Sequence, residues 1–158
     1  MEILRLETVN GDGVYNDPSD DSIWSTYWSK YTEGSDGDED RHPLPEHDKK
    51  FNENVSVFCE NPKVLEFCEL PLPLPHYAIY DGYGKYITKF GFLDQYQFLQ
   101  WCYLPKWRKS FELGGEIFLS VYEVDDDFVV VGDSQVIFVH EKAVLVDRLP
   151  VTYYDTLE

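Results

Sequence analysis

The segment Phe90–Lys109, FGFLDQYQFLQWCYLPKWRK, constrains the fold more than any other part of the chain, because it carries signals for a helix start, a buried stripe and a helix stop. Asp94 can accept hydrogen bonds from free backbone N–H groups at a helix N-terminus, and Gln97 stands three residues later, as in a capping box. The apolar residues that follow at helical spacing are Phe98, Trp101 and Cys102. These signals predict a helix from Asp94 to Leu104 with one buried face.

The end of this segment leaves two outcomes open for the backbone. Pro105 cannot continue a helix, so it either ends the first helix at Leu104 or opens a second short helix as its first residue. Gly114 and Gly115 then predict the end of any second helix. The segment is also an electrostatic exception, because residues 81–110 contain two acids and five bases in a chain that is otherwise strongly acidic.

Short runs of β-branched and aromatic residues predict strands at both ends of the chain. Met1–Val9 is the first run, and it ends at a turn-forming cluster around Gly11. Four further runs follow the helical segment: Glu116–Val124, Phe128–Val131, Gln135–His140 and Ala143–Val146. Their spacing favours an antiparallel meander. The predicted fold class is therefore α+β, an antiparallel sheet built from the N-terminal strand and the C-terminal meander, with a few short helices packed on it.

The rest of the chain gives weaker signals. Aromatic residues at helical spacing predict a short helix with one aromatic face: Trp24, Tyr27, Trp28 and Tyr31. Val55–Phe58 is predicted to be a short strand, and Tyr77–Tyr80 with Lys85–Phe90 a hairpin. A chain of 158 residues favours a single domain over residues 1–158, with an acidic, loop-rich insertion at about residues 33–53.

Negative charge dominates the composition. The net charge is −17 for 18.5 kDa, while 16% of the residues are aromatic, which is atypical of disordered acidic chains. We therefore expect the chain to fold. Nucleic acid is excluded as a direct ligand and an anionic membrane is disfavoured, because both bind proteins through Lys and Arg. The expected partners are basic proteins, bound by a monomer or a homodimer.

The carboxylates concentrate in two places, which together form the predicted partner-binding site. The first group is Asp12, Asp17, Asp20, Asp21, Glu33, Asp36, Asp38, Glu39 and Asp40, and the second is Asp125, Asp126, Asp127 and Asp133. Duplex DNA presents one charge per roughly 1.7 Å of its axis, a spacing that a protein can approach with carboxylates on rigid elements. Trp24 and Trp28 would anchor a protein partner if they reach the surface beside the acids. The alternatives are a solvated acidic face with a disordered loop, and a core role for the tryptophans.

The sequence predicts no metal site and no cofactor. His42 and His47 lie among carboxylates, but their spacing matches no ligand motif. The three cysteines form no CxxC pair and are expected to be free, buried thiols: Cys59, Cys68 and Cys102. No run reaches the roughly 18 apolar residues of a membrane span, and the N-terminus lacks the basic region of a signal peptide, so the chain is expected to be cytoplasmic.

Two predicted strands, Leu4–Glu7 and Gln135–Phe138, are similar to the first and last active-site strands of ADP-ribosyltransferases. The resemblance implies that Arg5 would contact the diphosphate of NAD and that Gln135 would stand where that family carries its catalytic glutamate. A glutamine can hydrogen-bond a ribose hydroxyl but lacks the charge that stabilises an oxocarbenium ion. An enzyme of this class, or an inactive relic of its fold, is the alternative to a binding protein.

Several short motifs follow one another along most of the chain: LRLE, NGDGVYN, HPLP, FGFLDQYQFLQW, FLSVYEV, QVIF and a final LP. This order resembles small uncharacterised proteins encoded by tailed bacteriophages. The present chain adds acidic residues between the first strand and HPLP, which suggests an added binding function. In charge and size it is also similar to phage DNA-mimic inhibitors, which occupy the DNA channel of host enzymes.

These features predict a phage-encoded, non-enzymatic DNA mimic that binds the basic DNA-binding surface of a host protein. DNA gyrase is the first candidate target, and restriction enzymes, CRISPR effectors and RNA polymerase are others. A virion or scaffolding component is a third class, which would be found in purified particles.

Overall fold

β1 stands at the junction of two antiparallel sheets. The computed structural model describes residues 1–11, 13, 49–62 and 88–157. The predicted aromatic helix, the strand Tyr77–Tyr80 and residues 33–48 of the acidic insertion lie outside these ranges.

Strands and helices alternate irregularly along the described part of the chain. The strands are β1 Glu2–Glu7, β2 Thr88–Gly91, β3 Phe118–Val124, β4 Val129–Val131, β5 Val136–Val139 and β6 Ala143–Leu149. The α-helices are α1 Lys49–Cys59, α2 Gln95–Trp101 and α3 Pro105–Gly114. Short 3-10 helices cover Asp126–Phe128, His140–Lys142 and Tyr153–Leu157.

Within the described residues each sheet has three antiparallel strands, in the order β1-β3-β6 in the first and β2-β5-β4 in the second. The predicted α+β class with antiparallel sheets is thus confirmed. The strand order differs from a simple meander, because β3 pairs with β1 and β6 and only β4 and β5 pair as chain neighbours. β3 and β5 are buried along most of their length, as suits central strands. Spacing along the chain does not reveal which strands flank them.

A close backbone contact joins the two sheets. The backbone N–H of Leu4 donates to the oxygen of Phe92 at 2.8 Å, and the N–H of Phe92 donates to the oxygen of Leu4 at 2.7 Å. Gly91 makes this approach possible, because a Cβ there would lie 2.6 Å from the Leu4 oxygen and 2.7 Å from Cγ2 of Ile3. The end of β2 therefore touches β1 while β2 pairs with β5.

The first sheet has a hydrophobic cluster on each face. Ile3 packs with β5 and with Phe51 of α1 in one cluster. Leu4 and Leu6 pack with Phe98 of α2 in the other, which also takes in α3. The alternation of side chains along β1 thus divides its apolar residues between two cores.

The segment after β2 folds as two helices. Asp94 accepts a hydrogen bond from the backbone N–H of Gln97 at 3.0 Å, which confirms the predicted N-cap. Oε1 of Gln97 accepts from the N–H of Leu93 at 2.9 Å, one residue earlier than a capping box requires. Pro105 is the first residue of α3, and Gly115 ends that helix with a φ of 71°. Of the two outcomes open at the proline, the chain adopts the second helix.

The strand predicted at Val55–Phe58 is wrong, because these residues belong to α1. Phe51 and Phe58 are two turns apart and both buried, so α1 packs one apolar face against the second sheet. A four-residue run with three apolar side chains does not distinguish a strand from a helix, and the helical period emerges only over the whole element. Residues 49–53, at the end of the predicted acidic insertion, are helical as well.

We expect Gly91→Ala to lower the free energy of unfolding by about 1–3 kcal/mol, the usual cost of overpacking a core. The added Cβ would press on the backbone oxygen of Leu4, which cannot move aside as a flexible side chain does. Guanidinium unfolding followed by circular dichroism measures the change. Gly114→Ala, at the exposed end of α3, is the matched control and should be neutral or slightly stabilising. Equal stabilities of the two variants would contradict the role of Gly91.

Candidate functional site

The acidic turn, which connects β3 to β4, consists of Asp125, Asp126 and Asp127. The Asp125 carboxylate accepts a hydrogen bond from the N–H of Asp127 at 3.0 Å and thereby caps the 3-10 helix. Asp126 has 79% of its side chain exposed and lies 3.5 Å from the ammonium group of Met1. The same ammonium donates to Glu123 at 2.8 Å. These contacts therefore hold the backbone of the acidic turn, which contains three of the predicted partner-binding residues.

The other predicted acids are not gathered around this turn. Asp133 is exposed in the turn between β4 and β5, at the opposite end of β4 from the acidic turn. A strand of three residues spans about 10 Å, so the structure separates the two halves of the second acidic group. The first acidic group and both tryptophans lie outside the described residues: Asp12, Asp17, Asp20, Asp21, Glu33, Asp36, Asp38, Glu39, Asp40, Trp24 and Trp28.

A buried polar cluster, absent from the sequence prediction except for Arg5, surrounds Glu7. We call it the Glu7 cluster, and it consists of Arg5, Glu7, Lys89, Tyr122 and His140. The Glu7 side chain is 0% exposed, and its Oε2 accepts from Nε of Arg5 at 3.3 Å. The Tyr122 hydroxyl donates to Oε1. Burial, followed by this hydrogen bond, raises the pKa of Tyr122, so the hydroxyl keeps its proton and remains a donor.

Three cations hold the turn that follows β1. Nη2 of Arg5 and Nζ of Lys89 both donate to the backbone oxygen of Gly11, at 3.5 and 3.0 Å. Nη2 of Arg148 donates to the backbone oxygen of Val9 at 3.1 Å. The first acidic group begins at Asp12. The chain therefore enters its most acidic segment from a turn that both sheets anchor.

Two buried polar atoms in or beside the Glu7 cluster, Oγ of Ser120 and Nδ1 of His140, have no hydrogen-bond partner among the residues that the structure describes. Ser120 pairs with Arg5 on β1 and with Arg148 on β6. The His140 ring stands edge-on to the Tyr122 ring, with 6.0 Å between centroids. Burial, followed by the positive charge of Lys89, lowers the pKa of His140, so the imidazole is neutral at pH 7.

Arg5 and Gln135, the residues that the ADP-ribosyltransferase resemblance singles out, occupy different surroundings. The guanidinium of Arg5 donates to the Glu7 carboxylate and, at 2.6 Å, to the backbone oxygen of Phe90. Gln135 precedes β5 and is 3% exposed, and within the described part of the chain its Nε2 has no hydrogen-bond partner. Phe90, whose backbone oxygen accepts from Arg5, pairs between β2 and β5 with Ile137, which lies two positions after Gln135. The enzymatic interpretation stays a prediction.

Cys102 is buried just after α2, as predicted for a free thiol. Burial raises the pKa of Cys102 to about 12, so the thiol is protonated at neutral pH and is a poor nucleophile. Residues 1–11, 13, 49–62 and 88–157 contain no group of three His, Cys, Asp or Glu side chains that could hold a metal ion. Among the helices in these ranges, none has the length and apolar character needed to cross a membrane.

Sequence reasoning found Arg5 but missed its partners. Arg5 and Glu7 alternate with Leu4 and Leu6, which was a signal for a polar stripe on one face of β1. Tyr122 lies 115 residues from Glu7 along the chain, so only the tertiary fold brings its hydroxyl to that stripe.

We expect Glu7→Gln and Tyr122→Phe each to lower the free energy of unfolding, by about 3 and about 1–2 kcal/mol respectively. The glutamine would remove the negative charge that Nε of Arg5 contacts, and the phenylalanine would remove one donor from the Glu7 carboxylate. Glu7→Gln removes the charge of the acceptor in the Tyr122 hydrogen bond and Tyr122→Phe removes its donor, so the double variant should lose less than the sum of the two. Denaturant unfolding of the four proteins measures this coupling. Additive losses would contradict the hydrogen bond.

We expect His140 to titrate below pH 6.5, its ordinary pKa. Since the fold disfavours the charged imidazole, the associated stability is present above pH 6.5, and it is lost as the pH falls from this unfolded value through the lower folded pKa. Lys89→Met removes a nearby positive charge and should raise the pKa of His140. NMR titration of the imidazole C2–H signals measures both values, and His140→Gln assigns the signal. A wild-type pKa at or above 6.5 would contradict the burial of this ring.

Comparisons with known proteins place the chain in a phage family. The chain is 27% identical over 101 residues to the "Uncharacterized 19.7 kDa protein in motB-dexA intergenic region" of Enterobacteria phage T4. This match covers 64% of the chain and 56% of the relative, so the chain spans little more than half of that relative's length. No solved structure matches the chain. Residues 1–152 match the family described as Bacteriophage T4 Y00F protein, which confirms the predicted resemblance to small tailed-phage proteins. The chain therefore belongs to the Bacteriophage T4 Y00F protein family.

Proposed function

We propose that this phage protein is an acidic DNA mimic, which acts in the cytoplasm of the infected cell and binds the basic DNA-binding surface of a host DNA-processing protein. The observation that carries the proposal is the net charge of −17 in a chain of 158 residues. A charge of this size exceeds what solubility requires and increases self-repulsion in the folded state. A cationic partner surface would offset that repulsion.

The distribution of exposed carboxylates supports the proposal. Several stand on regular elements, at one end of the first sheet and beyond the end of α1: Glu2, Glu60, Glu123, Asp125 and Asp126. Asn61 follows α1 and donates to the backbone oxygen of Asp127 at 3.4 Å, so this end of the helix lies beside the acidic turn. Phosphates recur at fixed intervals along duplex DNA, and carboxylates reproduce such intervals best when folded backbone holds them.

The positions of the cations support the same reading. Arg5, Lys89 and Arg148 donate to backbone oxygens of the turn after β1, and buried Arg108 donates to Asp155 at 2.8 Å. The exposed Lys49 and Lys50 begin α1, at its opposite end from the acidic turn. An 11-residue helix separates its ends by about 16 Å. Many of the described positive charges therefore lie away from the carboxylates offered to a partner.

Long-range attraction would be the first step of recognition. A strongly negative surface raises the rate of encounter with a basic channel, and this advantage falls steeply as salt screens the charges. Aromatic and apolar contacts would then provide specificity. DNA gyrase is the first target to test, and restriction enzymes, CRISPR effectors and RNA polymerase follow.

We expect the immobilised protein to capture DNA-binding proteins from host lysate at about 50 mM salt and to retain far less at about 200 mM salt. Added duplex DNA should release the captured proteins, because this protein and the DNA that it mimics would compete for one binding surface. With purified gyrase, the protein should inhibit DNA binding in proportion to its concentration.

A charge-reduced variant supplies the control for this capture. Neutralising part of the first acidic group, through Asp36→Asn, Asp38→Asn, Glu39→Gln and Asp40→Asn, should weaken capture. Failure to capture any DNA-binding protein at low salt, or capture that duplex DNA does not reverse, would count against mimicry.

A further inference from the structure

We propose that the groove between α1 and β4 receives a lysine or arginine side chain from the basic surface of the partner, an inference that rests on the proposed function. The groove encloses about 290 Å³. Its apolar walls are Val57 and Phe58 of α1 and Val129 and Val131 of β4. Its charged lining consists of two carboxylate residues, Asp126 and Asp127, and of Met1, and its polar lining consists of Asn54 and Asn61.

Hydrogen bonds from the helix and from the chain just after it hold the two walls together. Nδ2 of Asn54 donates to the backbone oxygen of Val131 at 2.6 Å, and Nδ2 of Asn61 donates to that of Asp127 at 3.4 Å. These contacts lie at the two ends of β4, so the groove is built before a partner arrives. A preformed site avoids the entropic cost of ordering its walls on binding.

The walls of the groove leave apolar surface open. Val57 is 68% exposed although it stands beside the buried Phe58. Lysine and arginine pair an aliphatic stem with a charged end, so they bury the stem along apolar surface and keep the charge among polar groups. The valines of the groove could contact such a stem, and the carboxylates close by could pair with its charged end. The volume lies at the lower limit of small-molecule pockets, which suits one long side chain better than a whole helix.

The carboxylates at this end already bind an ammonium group within the chain. The Met1 ammonium donates to Glu123 at 2.8 Å and lies 3.5 Å from Asp126, which is 79% exposed. The hydrogen bond to Glu123 raises the pKa of this ammonium. Other occupants fit less well, since an anionic ligand or a second copy of this chain would bring more negative charge to the acidic turn.

Methyl NMR on the full-length protein tests the groove directly. The probe is Nα-acetyl-arginine amide, and Nα-acetyl-norleucine amide is its uncharged match. We expect the methyl signals of Val57, Val129 and Val131 to shift with the cationic probe and much less with norleucine. The shifts should disappear at about 1 M salt, where the screening length falls to about 3 Å.

A pair of charge-matched variants separates the groove from the overall charge. Asp126→Asn with Asp127→Asn should weaken binding of the arginine probe about tenfold, while the capping carboxylate of Asp125 is kept. Glu112→Gln with Asp147→Asn removes the same charge from exposed positions outside the groove and should leave binding within about twofold of wild type. Equal weakening in both pairs, or probe shifts that miss the three valines, would overturn the assignment.

The two proposals fail in distinguishable ways. Reversible capture of a host DNA-binding protein that is undiminished by Asp126→Asn with Asp127→Asn would overturn the groove and leave the mimic standing. Absence of any such capture would overturn the mimic, whatever the arginine probe does. Both proposals expect that Asp126→Asn with Asp127→Asn reduces capture of the host protein, and that the charge-matched substitutions outside the groove do not.

Discussion

Two backbone hydrogen bonds between Leu4 and Phe92 are the contact on which the rest of the structure depends. They bring the end of β2 against β1, and β2 belongs to the second sheet, so the contact joins sheets that otherwise form separate ladders. Gly91 is required there because the backbone of β1 occupies the space of its missing side chain. The same junction brings Lys89 to the turn after β1.

Within the described part of the molecule, charged groups with structural contacts are distinct from the carboxylates that face solvent. Arg5 and Lys89 hold backbone oxygens, and the carboxylate of Glu7 is buried with donors from Arg5 and Tyr122. Carboxylates at the acidic turn instead face solvent, as the exposure of Asp126 illustrates. Buried ionic groups of this kind add little net stability but are costly to separate, so they define one arrangement of β1 and its turn.

The proposed function uses this division. A fold whose structural cations are engaged with backbone can carry a large negative charge on its surface without losing its internal contacts. The groove between α1 and β4 would add a local, shape-dependent contact to an attraction that is otherwise long-range and unspecific. Asn54 and Asn61 are important in this view, because they tie the helix to the strand from opposite ends of the groove.

The sequence by itself determined the features that depend on neighbours in the chain. Asp94 as a helix cap and Gly115 as a helix end follow from local backbone chemistry, and both were predictable, whereas the sequence left two outcomes open at Pro105. Only the tertiary structure decided the strand order, the helical state of Val55–Phe58 and the burial of Glu7 beside Tyr122. These features depend on packing between segments far apart in the chain. The helix or strand propensity of a residue does not specify which distant surface that residue will contact.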